Sequence, residues 1–218
     1  MNFIIGTPKM IQHLQKQTVI AADVGASSSR RSFGLAWKLQ SGICDETACD
    51  YHDAIEKLKD LLCDQADVAL IIEAPLSGLH SSGNPTLRYF ETESTEMPDG
   101  KTRIDYRGWY YGAGATTALN ALIMLHKLGA IKCSPQFSNT SIFIYEGFVS
   151  FKSSKSSDIR DAIRLRDAFL KYDQSDSKQD VIIDPTKFSE EGTPFSLLNM
   201  IGLLADSTIP AIIIPRRK

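Results

Sequence analysis

The sequence predicts an α/β domain on a mixed sheet, with the first three strands antiparallel and the later ones parallel, flanked by helices. Three observations predict it. Residues 18–25 form a short apolar run that ends in Asp23 and Gly25. A polar turn and a second apolar run follow, the pattern of a hairpin. Residues 67–73 are continuously apolar up to Glu73, which suits a parallel strand buried on both faces. From there, strand-like and helical stretches alternate.

Taken in order, residues 32–39 read as the second strand and 42–49 as a weaker third. Residues 50–63 are helical, with Ala54, Ile55, Leu58, Leu61 and Leu62 at three- and four-residue steps. Ala74-Pro75 ends the next strand. Residues 76–107, rich in Gly, Pro, Ser and Glu, read as one long loop inserted in the domain; loops of that length are often functional. Residues 109–128 form a helix entered through Gly112 and Gly114, and 141–146 a strand ending in Glu146. Residues 148–151 continue that strand. The loop 153–157 ends in a serine placed to cap the helix 158–171. A strand (180–185), a helix (194–204) and a strand (211–215) form a C-terminal extension. The chain therefore reads as a single domain, 1–218, with a core of 18–171 and an extension of 180–218. The polar stretch 172–179 is the best boundary between them.

Composition bounds the rest. Of 218 residues, 43% are apolar and 23% charged, which excludes disorder, collagen and coiled coil. The net charge of −2 excludes a uniformly basic protein but not a local basic patch. Cys44, Cys49, Cys63 and Cys133 form no C-x-x-C pair and have no His at zinc-finger spacing. They read as reduced thiols of a cytoplasmic protein. The N-terminus lacks the pattern of a signal peptide. No apolar run is long enough to span a bilayer, so no membrane partner is expected.

The chemistry lies in the acids. Asp23 ends the first strand, Glu73 ends the strand after the first helix, and Asp158 and Asp161 open the last core helix. Asp158 and Asp161 are three residues apart and share a helix face; acid there also suits the helix dipole. Ligands of α/β sheets bind beyond the carboxyl ends of strands. Acids gathered there from distant elements suit one or two Mg²⁺ or Mn²⁺ ions, because hard cations take oxygen ligands. Two such ions about 4 Å apart clamp the attacking and leaving oxygens of a phosphodiester.

Three pieces carry a family resemblance: Asp23-Val24-Gly25, Ile71-Ile72-Glu73-Ala74-Pro75 and Asp158-Ile159-Arg160-Asp161-Ala162. Their order is similar to that of the RNase H-like superfamily, in particular RuvC-type resolvases and a group of small predicted RNase H-like nucleases. The resemblance spans residues 18–170. It implies an RNase H-like sheet and a metal-dependent nuclease. Asp23, Glu73 and Asp161 would be metal ligands, Asp158 a fourth, and Glu146 similar to an acid on the fifth strand of the predicted nucleases. The insertion 76–107 and the tail after Asp180 depart from the minimal fold.

Two alternatives stand beside it. Residues 23–30 also look like the first phosphate turn of actin-like and sugar kinases, whose backbone N–H groups cradle phosphate. That class needs two such domains, so this reading needs a homodimer or a degenerate half. The other alternative is a non-catalytic binding module on the same fold.

A nucleic-acid partner, DNA or RNA, would meet basic residues near the acids. Arg30, Arg31, Lys101, Arg103 and Arg107 are candidates, as are Lys152 and Lys155. Each fits solvated surface charge equally well. Arg160 and Arg164 could line the same rim or pair with neighbouring acids. Trp109, Tyr110 and Tyr111 suit core packing better than base stacking. Of the four histidines, His80 in the long loop is the one to test as a general base. No nucleophile elbow and no Walker-type phosphate loop occurs.

Overall fold

A computed structural model describes residues 1–25, 32–80, 92–96, 102–106, 113–131, 135–149, 157–173, 182–183, 193–202 and 210–215. The elements are β1 (Asn2–Ile5), α1 (Ile11–Leu14), β2 (Thr18–Val24), β3 (Phe33–Lys38), β4 (Cys44–Cys49), α2 (Tyr51–Leu62) and β5 (Asp67–Glu73). There follow β6 (Ser77–His80), β7 (Thr92–Glu96), β8 (Thr102–Tyr106), α3 (Ala113–Ala130), β9 (Ser141–Gly147) and α4 (Asp158–Lys171). The chain closes with β10 (Ile182–Ile183), β11 (Thr193–Ser196), a 3-10 turn (Leu197–Ile201) and β12 (Ile212–Ile213).

The main sheet runs in the order β10-β12-β9-β5-β2-β3-β4. The expected mixed pattern is present: β2, β3 and β4 are antiparallel, and β2, β5 and β9 are parallel. At the far edge, β1 and β12 both lie parallel to β9, joined by an Ala211 N–H that donates to the Gly6 carbonyl at 2.9 Å.

Both faces of this sheet are covered, which is why β2 and β5 are apolar without alternation. Strand side chains point to opposite faces in turn, and the two cores divide accordingly. Ile20, Ala22, Leu35, Trp37, Leu70 and Ile72 form one with α2 and α3. Val19, Ala21, Ala69, Ile71 and Tyr145 form the other, with Leu165 and Phe169 of α4. Asp50 caps α2 by accepting the Asp53 N–H at 3.0 Å, and Ala54, Ile55, Leu58, Leu61 and Leu62 are its buried stripe.

Three expectations need correction, and one strand was not expected. Residues 2–5 form a strand that the sequence does not signal, because its partner Ser141–Ile144 is far along the chain. The segment 76–107 is not structureless: β6 pairs with β11, and β7 with β8. The described residues of the expected helix 194–204 are not α-helical, because pairing with β6 holds Thr193–Ser196 extended; a 3-10 turn follows and stops at Gly202 in the left-handed region. Ser157 precedes α4, but its side chain makes no capping bond. Residues 174–179 of the expected boundary and Cys133 lie outside the described residues; Cys44, Cys49 and Cys63 are free thiols. Among the described residues, no helix is long and apolar enough to cross a membrane.

Candidate metal centre

The centre is built from strand register. Asp23 has the parity of Val19 and Ala21, so its side chain leaves β2 on the face that α4 covers. The parallel pairing of β2 with β5 sets Asp23 beside Glu73, on that same face. The antiparallel pairing of β2 with β3 sets Asp23 beside Gly34. Two neighbouring carboxylates thus meet one position without a side chain.

Gly34 is where α4 arrives. A Cβ at this position would collide with the backbone of Asp158 and Ile159. The missing side chain lets the first turn of α4 rest directly on β3. Gly147 does the same on the other side: a Cβ there would stand 2.8 Å from Leu165 Cδ1 and 3.3 Å from Glu73 Cα. Lying flush between these glycines, α4 places Asp161, one turn from its start, over the strand acids. Arg166 clamps the helix further along. Its guanidinium donates to the Trp37 carbonyl at 3.5 Å and the Asp45 carbonyl at 3.4 Å.

The outcome is a cluster of Asp23, Glu73 and Asp161, each offering an oxygen within 4.8 Å of the others. All three residues are at most 3% exposed. Two oxygens on opposite sides of one ion stand about 4 Å apart around Mg²⁺ and about 5 Å around Ca²⁺; a separation of up to 4.8 Å fits the larger ion, and the carboxylates would have to draw together around Mg²⁺. The donors are all hard oxygens, the set that suits Mg²⁺ or Mn²⁺. Arg164 Nη1 lies 3.6 Å from Asp161 Oδ1 and partly balances the charge.

The other acidic candidates fall outside this group. Asp158 opens α4, and its carbonyl abuts Gly34. Glu146 pairs in register with Ile72, not Glu73, so it leaves β9 on the opposite face from the cluster. There its carboxylate accepts the Ser77 hydroxyl at 2.6 Å and the Leu76 N–H at 3.2 Å. It ties down the chain that leaves β5 just beyond Glu73.

Of the basic candidates, Arg30, Arg31, Lys101, Arg107, Lys152 and Lys155 lie outside the described residues, as do Trp109, Tyr110, Tyr111 and Gly112. Arg103 lies on β8, and His80 ends β6. Arg164 pairs with Asp161, and Arg160 is exposed.

Sequence reasoning did not single out Gly34 and Gly147. A glycine inside an otherwise apolar strand signals close approach of another backbone, and Gly34 carries that signal. Compared with known family models, curated proteins and solved structures, the chain matches none.

Proposed function

We propose that this chain is a divalent-metal-dependent nuclease of RNase H-like type that hydrolyses phosphodiesters of DNA or RNA. The observation that carries this function is the convergence of Asp23, Glu73 and Asp161, from three elements far apart in sequence, within 4.8 Å. Three carboxylates so close repel one another in a buried setting, and a cation relieves that repulsion. Bound there, Mg²⁺ or Mn²⁺ would supply charge stabilisation on the phosphoryl oxygens and a lowered pKa for the attacking water.

The chain's own residues do the rest. Asp23 and Glu73 are held rigidly by adjacent, fully paired strands. Asp161 is delivered by a helix seated on Gly34, with Arg164 beside it. Asp158 sits at the mouth of the same helix turn. The strand order, with an antiparallel β2-β3-β4 unit beside parallel β5 and β9, is also what the RNase H-like resemblance leads one to expect. The basic residues Arg30 and Arg31 follow the Asp23 strand, and Lys152 and Lys155 precede α4. Short tethers to the acids suit them to a phosphate backbone.

The test is cleavage of single-stranded, duplex and branched DNA, and of RNA, with Mg²⁺ or Mn²⁺. Metal-dependent cleavage of at least one substrate, lost in Asp23→Asn, is expected. No cleavage of any, or equal cleavage by the variant, overturns the proposal.

A further inference from the structure

The second unusual region lies at the β4 edge of the sheet, and it does not depend on the nuclease proposal. Among the described residues, β4 pairs with β3 alone, so its outer edge is open. Beside it lies a groove of about 740 Å³, bounded by Trp37, by residues 45–50 and by Asp53, Glu56, Lys57 and Asp60 of α2. A groove confined to one face of a strand touches every second residue. This one touches consecutive residues of β4 and reaches Trp37 of β3, so it lies between α2 and that face of the sheet, bordered by the open backbone edge of β4.

Its walls are strongly negative. Asp45, Glu46, Asp50, Asp53, Glu56 and Asp60 border it with a single cation, Lys57; the Glu46 side chain itself turns to the α4 face. That is a local net charge of −5 in a chain of net −2, so the remainder of the chain is net basic. Some of this charge is engaged. Glu56 bonds Lys59 at 2.7 Å, Glu46 lies 3.7 Å from Arg166, and Lys57 sits 4.8 Å above the Trp37 ring. Among the described residues, no ion pair neutralises Asp45, Asp53 or Asp60. The negative field acts on the groove floor: burial first, then Asp53 and Asp50, push the Cys49 thiol up to about 11.

Charge on an edge strand can simply prevent sheet-to-sheet aggregation. That role needs acids on β4 only. Here Asp53, Glu56 and Asp60 come from one stripe of α2, facing β4 across the groove. A second copy of the chain is a poor occupant, since its own β4 would bring the same carboxylates against these. Nucleic acid is repelled for the same reason.

We propose that the β4–α2 groove is a docking site for an extended, lysine- or arginine-rich segment of a partner protein, which adds to β4 as a further strand. The backbone edge supplies the hydrogen bonds. Alternate basic side chains of the added strand meet Asp45, Asp53 and Asp60.

The test uses the full chain and three labelled eight-residue peptides, followed by fluorescence polarisation. One alternates Thr and Lys, one alternates Thr and Glu, and one alternates Pro and Lys. The Thr–Lys peptide is expected to bind at least tenfold more tightly than either of the others. Asp53→Asn combined with Asp60→Asn, two exposed positions, is expected to weaken it at least tenfold while circular dichroism stays unchanged. Equal binding of the Pro–Lys peptide removes strand addition. Equal binding of the Thr–Glu peptide, or by the double variant, removes the acidic groove. Dimerisation of the free chain that is abolished by Ala48→Pro, whose N–H points out of the open β4 edge, would assign the edge to self-association and overturn the proposal.

Discussion

The centre of the sheet at β2–β5 and its β4 edge are both acidic, but in different ways. At the cluster, Asp23, Glu73 and Asp161 are buried and point at one spot. At the β4–α2 groove, Asp45, Glu46, Asp50, Asp53, Glu56 and Asp60 are exposed and spread along a cleft. Convergent buried oxygens replace the hydration shell of one small ion. Dispersed, hydrated carboxylates cannot, and they act instead through a summed field on a long cationic partner. Count and sign are therefore poor guides to function; the direction of the side chains decides it.

The largest test of this contrast is Asp23→Asn. Cleavage should fall at least about 100-fold, since a metal site contributes several kcal/mol to the transition state. In EDTA the same variant should melt higher than wild type, because one of three crowded like charges is gone. Mn²⁺ is expected to raise the Tm of the wild type, and that shift should vanish in the variant. Asp53→Asn should leave that shift intact. If both variants lose it, the two regions are not distinct.

Next is Gly34→Ala. A methyl group against the Asp158 and Ile159 backbone should lift the first turn of α4 and cost about 1–3 kcal/mol. That corresponds to roughly 2–12 °C in Tm for a chain of this size. The Mn²⁺ shift should weaken with it. An unchanged melting curve and an unchanged shift would show that the helix does not depend on this contact.

A smaller effect is expected at Glu146. Glu146→Gln keeps an acceptor for Ser77 and Leu76 but loses the charge, at a cost of about 1 kcal/mol. The Mn²⁺ shift should persist. Its loss would place Glu146 among the ligands after all.

The smallest effect concerns the groove field. Cys49, with its thiol pushed up to about 11, holds little thiolate at pH 8 and should alkylate slowly. Because nearby negative charge raises a thiol pKa, Asp53→Asn should lower it and speed alkylation measurably. Burial remains the larger cause, so the rate should not reach that of an ordinary thiol. An unchanged rate would mean that Asp53 exerts no field at the groove floor.

The amino-acid sequence by itself determined the order of β2, β3, β4, α2, β5, α3, β9 and α4, because those elements carry their period locally. Apolar runs mark β2, β5 and β9, and a 3.6-residue stripe marks α2. It also determined that acids close the strands and open α4. It was silent on β1, β6 and β11, whose strand character exists only in pairing with segments far along the chain. Most of all, it left open which acids would meet. Glu73 and Glu146 look alike in sequence, each an acid at the end of an apolar strand. The register of β5 on β9 sets Glu146 beside Ile72, one residue short of Glu73, and one residue is one face of the sheet. Long-range pairing and the two glycines under α4 made that choice, and with it the difference between a carboxylate in the cluster and one that anchors a loop.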